Sequence, residues 1–440
     1  MKKFTLLSTA LLIALSSHAG GLLTNTNQHI AFLRMLARGT SHQIDGVYSN
    51  PAGIAFLDNG SHISLNGQSV YQTRQIDATF ALFPEGTRHY KGTASVPILP
   101  SAYFAYKNNN WALSGFFGIV GGGGKASFDN GLPMFDSRVM AGIYSASKGT
   151  ITPDKYTINS SMSGKQYIFG SQLGLSYQIN DHLSAYLGGR MSYLSGNYSG
   201  YAKAALNNNN TTLADVELDC DQTGWGLTPI VGFDYSHGKW SIGMKYEFRT
   251  ELNIQNTTEK NTDPEGALKD YKDGVNTPND IPSLLSLAIG YKFTPHFRAT
   301  AEYHHYDDKH ASMANIPGTT TGKQHALTHG TNEFLGGAEW DISKQITISA
   351  GIQHTDYGLS NDFQSDTSFS CDSYSIGFGG AIKLMPNLTM NIAYFWTDYS
   401  DYTKSVAASS NGGYNNTTMA GVDVYSRTNK VFGVGFDFKF

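Results

Sequence analysis

The chain has 440 residues and a formal net charge of −4, with 15% charged residues against about 25% in an ordinary soluble domain. Aromatics make up 12%, Gly numbers 48, Pro 13 and Cys 2. Low charge with abundant Gly and aromatics excludes a disordered chain or a coiled coil, the near-neutral balance offers nothing to nucleic acid, and a mean hydropathy of −0.29 excludes a bundle of apolar membrane helices.

The first residues read as an export signal. Met1-Lys2-Lys3 is a basic start, Phe4 to Leu15 is an apolar run, and Ser16-Ser17-His18-Ala19 is a small-residue exit. The run falls short of the ~20 apolar residues a membrane helix needs. Residues 1–19 are therefore expected to be a cleaved signal peptide. No Cys follows to carry a lipid anchor.

Residues 20–60 do not alternate. A polar opening, Thr24-Asn25-Thr26-Asn27-Gln28, gives way to a short apolar stretch with Arg34 and Arg38, then to Tyr48-Ser49-Asn50-Pro51-Ala52-Gly53. Pro51 fixes its own φ and restricts Asn50 before it. A segment this apolar is no loose tail. An ordinary turn into the first strand is the plainest reading of Asn50-Pro51-Ala52.

From about residue 61 the chain reads as strands in pairs. Trp240, Ile242, Met244, Tyr246 and Phe248 alternate with polar or small residues. So do Leu285 to Phe293, Tyr374 to Ile382, Leu388 to Trp396, and the C-terminal Phe432, Val434, Phe436, Phe438 and Phe440. Short turns such as Asn180-Asp181-His182 and His237-Gly238-Lys239 alternate with long polar segments at about 75–97, 122–163, 203–222, 257–281, 311–331, 358–371 and 403–424. Tight turns at one end and long loops at the other describe an all-β, antiparallel transmembrane barrel, here of 14 strands over 61–440. Trp111, Tyr177, Tyr235, Trp240, Phe293, Phe297, Trp340 and Phe440 sit near strand ends, where aromatic girdles belong. A barrel this wide needs its lumen filled, and the leader 20–60 is the available plug.

With Asn50-Pro51-Ala52 inside a 40-residue leader, after a signal peptide and before an alternating barrel, the chain resembles the FadL-type long-chain fatty acid transporter family. The resemblance covers the layout of the mature chain, and residue-level matching is confined to the leader. It implies a monomeric barrel plugged by an N-terminal hatch and carrying hydrophobic molecules inward, with Asn50, Pro51 and Ala52 as the hatch element whose rearrangement opens the path. It further implies a hydrophobic groove among the outer loops, an internal pocket, and a kinked strand that opens the wall near the hatch.

Several residues are candidates for that function. Leu132, Met134, Phe135, Val139, Met140, Ile143 and Tyr144 make an apolar stretch in a loop expected to be polar; residues 135, 139, 140 and 143 fit a short amphipathic helix. Such a stretch serves equally as a greasy capture site or as a lid packed on its neighbours. Arg138, Arg190 and Arg298 are candidates for an acidic headgroup. Gly121 and Gly122 open a four-glycine tract able to kink a strand, or simply to start a flexible loop. Cys220 and Cys371 both fall at the loop end and are a candidate disulfide. Strand parity places Arg190, Lys245, Glu247, Arg249, Arg298, Glu302 and Glu339 inside the barrel. His304 and His305 fall on opposite faces, so no shared metal is expected, nor any cofactor.

The expected function is uptake of hydrophobic small molecules, foremost long-chain fatty acids, across the outer membrane of a Gram-negative bacterium. The expected surroundings are outer-membrane lipid and lipopolysaccharide, with insertion by the barrel-assembly machinery. No catalytic motif points to an enzyme. The rival readings are a surface structural protein or adhesin, and a general porin.

Overall fold

The alternating segments form strands in a computed structural model that describes Leu22, Asn25 and residues 27–440 apart from 267, 317, 318 and 411. The expected signal peptide lies outside the described residues. Six long strands come first: β1 (Gly60–Phe80), β2 (Thr87–Asn108), β3 (Trp111–Phe128), β4 (Tyr156–Gln178), β5 (Leu183–Leu206) and β6 (Thr212–His237). β7 (Trp240–Glu247) and β8 (Asn253–Asn261) are two halves of one stave, as are β9 (Asn276–Pro278) and β10 (Leu284–Lys292). β11 (Phe297–Tyr306), β12 (Asn332–Asp341), β13 (Ile346–Asp356) and β14 (Ser373–Met385) follow. The split stave β15 (Leu388–Tyr399) and β16 (Tyr402–Val406) precedes β17 (Gly421–Lys439). Neighbours are antiparallel and β17 pairs with β1, so the described strands close a barrel of 14 staves.

The outward side chains form an apolar belt. Trp111, Tyr177, Tyr235, Trp240, Phe293, Phe297, Trp340 and Phe440 are all exposed at the tight-turn end, the position of one aromatic girdle. Above them Leu173, Leu187, Met191, Leu227, Ile289 and Ile352 point away from the barrel. Inward positions hold Gln172, Arg190, Thr228, Glu302, Glu339 and Asn391, all buried.

The first strands run well past their expected ends. The loops expected at 75–97 and 203–222 shrink to 81–86 and 207–211, and that expected at 122–163 to 129–155. Beyond the belt both faces of a strand meet polar surroundings, so the apolar alternation that marks a strand in sequence fades while the backbone ladder continues. Parity also fails once. The stave breaks between β7 and β8, and Arg249 is exposed there rather than inside, donating to the His310 carbonyl at 2.7 Å.

The N-terminal segment is buried and touches opposite walls. It folds as α1 (Ile30–Arg34), α2 (Gly46–Ser49) and a 3-10 turn over Pro51–Phe56. Glu339 on β12 accepts from Arg34 at 2.5 Å, Arg38 at 3.0 Å and Arg298 of β11 at 2.9 Å. Arg34 also reaches Ser349 on β13 and Asn391 on β15. Arg38 grips Asp45 through two bonds at 2.7 and 2.8 Å. Glycines let the segment approach the wall: a Cβ on Gly243 would strike the Gly39 carbonyl, and one on Gly377 the Leu33 carbonyl.

Replacing Glu339 by Ala takes the shared carboxylate from three guanidinium groups and leaves Arg34 with neutral partners alone. Urea unfolding of the refolded barrel is expected to show a loss of about 3–5 kcal/mol, as for other broken buried pairs. Ser349→Ala, which removes one neutral acceptor, should cost about 1 kcal/mol.

Candidate functional site

The wall is broken between β2 and β3. Their ladder runs from Asn108↔Trp111 to Ala102↔Phe117 and resumes only at Ala94↔Ala126, leaving residues 95–101 and 118–125 unpaired with each other. Two features of the sequence make the break. β2 carries Pro97 and Pro100, which have no N–H to donate to a neighbour. β3 carries the glycine tract and bulges twice against β4, between Ile119 and Gly121 and between Gly122 and Gly124. Gly122 and Gly124 have φ of 64° and 148°, open to glycine at little cost. The tract therefore lies inside a strand that continues to Phe128, not at a strand end as its place before a long loop suggests. The prolines were the missed signal: two in four residues of an otherwise alternating strand.

The N-terminal segment takes the pairing that β2 gives up. The Asn25 backbone N–H donates to the Val120 carbonyl at 2.8 Å. Its side-chain amide donates to the carbonyls of Ile119 at 3.1 Å and Gly122 at 2.7 Å. The Gln28 side chain bonds both the N–H and the carbonyl of Ile119. From the other side of the break, Gln68 and Ser101 donate to the Gln28 carbonyl, and Tyr103 to the Asn27 side chain at 2.7 Å. Backbone groups facing lipid must be satisfied within the protein, and on the β3 side of the break Asn25 and Gln28 do it.

The break is lined by apolar side chains. Val70, Val96, Leu99 and Ile119 pack with Ile30, Phe32 and Leu33 of the segment, and Tyr167 and Phe169 of β4 lean against the same cluster. Ile98 beside it is 72% exposed on the outer face. Nearer the loops a second apolar cluster includes Phe80, Phe83, Phe128, Met162 and Tyr198. The cavities below the segment, at the turn end, are polar. One of about 640 Å³ is lined by Arg38, His42, Lys292, Arg298, Glu339 and Asp341. Another of about 400 Å³ is lined by Arg34, His62, Lys344, Lys383, Asp437 and Lys439.

Asn50, Pro51 and Ala52 are buried against β4, β5 and β6. Asn50 donates to Asp234 at 2.6 Å, while Ser176 and Ser184 donate to the carbonyls of Pro51 and Ala52 at 2.7 and 2.8 Å. The Asn50 side-chain oxygen is buried with no partner.

The apolar loop stretch is a helix, α3 (Pro133–Ala146). Leu132, Met134, Val139, Met140 and Ile143 are buried in the loop-side cluster, Phe135 packs on it, and Tyr144 is partly exposed. In this conformation the stretch packs as a lid. Asp366, from the loop between β13 and β14, accepts from the Met134 N–H at 2.7 Å, and burial raises its pKa.

The candidate arginines separate. Arg190 forks onto Glu247 at 2.7 and 2.9 Å, reaches Gln172, and lies 4.7 Å from the Tyr48 ring centre. Its donors are committed, so it is no free headgroup site. Arg298 is bound to Glu339 and Asp341 at the turn end, far from the loops. Arg138 alone remains at the loop side. It donates to the Asn415 carbonyl and lines a cavity of about 220 Å³ with Lys323, Lys404, Asp366 and Met134. Burial lowers its pKa to about 10.

Cys220 and Cys371 are separate buried thiols, so the candidate disulfide is not formed. Cys220 faces Thr258, and Cys371 faces the Tyr425 carbonyl. His304 is held between Glu302 at 2.7 Å and Glu333 at 2.9 Å. Among the described residues two Ser–His–Asp groups occur, but Ser64 and Asp437 meet the same ring nitrogen of His29, as do Ser236 and Asp234 on His42. A catalytic relay needs them on opposite nitrogens.

No family model and no curated protein matches this chain. Solved structures do. A FadL homologue from Pseudomonas aeruginosa superposes with a TM-score of 0.65 at 15% identity, over 96% of this chain and 100% of its own. The toluene transporter TodX of P. putida gives 0.55 at 14%, over 92% and 97%. The toluene transporter TbuX of Ralstonia pickettii gives 0.55 at 14%, over 90% and 94%. At these identities the likeness is one of fold: this chain is built as those transporters are.

Burial, with Lys404 and Arg74 nearby, lowers the Lys323 pKa to about 7. The folded value lies below that of free lysine, so the folded state sheds its proton first. Loop packing is penalised below pH ~7 and gains stability as pH rises from there toward ~10. Lys323→Met is expected to slow proteolysis of the loops markedly at pH 6 and less at pH 9.

Proposed function

We propose that this chain is an outer-membrane channel of a Gram-negative bacterium for hydrophobic small molecules, with long-chain fatty acids as the first cargo. On this reading residues 1–19 are removed on export, residues 20–60 are the hatch, and 61–440 form a monomeric barrel inserted by the assembly machinery. The observation that carries it is the break between β2 and β3, apolar within and closed by side-chain amides of the N-terminal segment. A general porin has no use for an apolar seam in its wall.

The proposed path begins at the loop-side apolar cluster under α3. Cargo descends to the cluster of Val96, Leu99 and Ile119, displaces Asn25 and Gln28, and leaves sideways into lipid. Exit through the hatch is disfavoured because the cavities beyond it are charged and polar. Arg138 and Lys404 beside one cavity, which Asp366 also lines, favour a cargo with an acidic end, and Lys323 adds its charge only below pH ~7. TodX and TbuX are named for toluene, so a neutral aromatic is the natural comparison cargo.

The test removes the bulges. Deleting Val120 and Gly123 restores a continuous β3–β4 register and should close the seam. Cells displaying that variant at normal surface levels are expected to lose uptake of a labelled long-chain fatty acid. Unchanged uptake would sink the lateral route. Replacing Pro51 by Ala should also depress uptake if hatch movement is required. Uptake of labelled toluene but not fatty acid would reassign the cargo and leave the route standing.

A further inference from the structure

The outer face carries a pair of cations at the upper corner of the break. Phe169, Tyr193 and Trp225 form a cross-strand aromatic row on β4, β5 and β6, with Trp225 68% exposed. Such a row marks the depth at which belt meets headgroups. Two residues farther toward the loops the row reads Tyr167, Ser195 and Thr223, and two farther still Lys165, Asn197 and Asp221. On its other side Lys165 stands directly opposite Lys125 of β3. Four residues along a tilted strand rise about 10 Å, the depth of lipid phosphates beyond an aromatic girdle.

Both lysines are exposed, and neither ammonium group has a hydrogen bond or ion pair to a described residue. Lys165 lies 5.6 Å from the Tyr167 ring centre. Like charges directly opposed on one face of an antiparallel pair destabilise it. The carboxylates of Asp219 and Asp221 are two strands away from Lys165 and accept from Asn197 at 3.0 and 2.8 Å. Lys91 on β2 is a further exposed cation across the break. At Lys125, β3 has no β2 partner, so its pairing with β4 is the only ladder holding it there. An anion between the two ammonium groups would turn their repulsion into a clamp.

We propose that Lys125 and Lys165 bind a phosphate group of an outer-leaflet glycolipid and thereby fasten β3 to β4 beside the break. Lysine binds phosphate as a point charge without a fixed fork, which suits a headgroup of loose orientation. The site stands on the barrel and its lipid belt, not on the cargo. A barrel that transports nothing would still hold the glycolipid.

Full-length protein, stripped of lipid in detergent, is titrated with diphosphoryl lipid A and read by native mass spectrometry. Heat-modifiable mobility on a gel identifies folded barrel for each variant. Lys125→Gln/Lys165→Gln should bind about tenfold or more weakly, and each single substitution should fall between. Lys203→Gln, at a lysine already paired with Glu217, should bind as the unsubstituted protein does. Dephosphorylated lipid A should bind all of them equally weakly. Equal lipid A binding by the double variant overturns the proposal, as does full binding of the dephosphorylated lipid. Displacement by millimolar inorganic phosphate would assign the pair to free phosphate and overturn the glycolipid.

Discussion

One buried carboxylate holds the two parts of the molecule together. Glu339 stands on a barrel strand, and the arginines that converge on it come from both sides: Arg34 and Arg38 from the N-terminal segment, Arg298 from the neighbouring strand. Arg38 then orders its own segment through Asp45, just before the turn that delivers Asn50-Pro51-Ala52 to β4, β5 and β6. The desolvation of so many charges is tolerable only because every one has partners. The segment is thus seated by ionic and polar bonds at the turn end and by apolar contacts higher up, where Ile30, Phe32 and Leu33 meet the wall. The lower part is anchored, while at the break the contacts are amide hydrogen bonds of a kind that water or a rearranged chain can replace.

Much of this was legible in sequence, for a definite reason. A strand with lipid on one side and lumen on the other must alternate, so the staves crossing the belt announced themselves, and their number followed. The long loop-side extensions of β1 to β6 did not, because outside the belt a strand is free to be polar on both faces. The glycine tract was visible, but its meaning depended on whether β3 continued past it. Pro97 and Pro100 would have answered that, since paired central strands do not tolerate them. The fates of Arg190 and Arg298 were beyond sequence. Parity placed them inside correctly, yet only the fold brings Glu247 and Glu339 against them. Parity failed outright for Arg249, since it counts residues and a broken stave miscounts them.

The staves differ greatly in length, and that asymmetry governs how the mouth is built. β6 has 26 residues and the unbroken stave β13 has 11. At ~3.3 Å per residue and ~40° of tilt, one side rises ~65 Å and the other little more than the ~25 Å belt. The tall side ends in tight turns at 81–86 and 207–211 and in the loop 129–155 that carries α3, whereas the low side carries the loops 307–331, 357–372 and 407–420. Those low-side loops meet α3 through few polar contacts: Asp366 to Met134, the Asn415 carbonyl to Arg138, and the Asn415 amide to Ser137. The rim is therefore a backstop facing a flap, not a ring of equal loops. On the proposed function, cargo would then enter obliquely, over the low side of the rim.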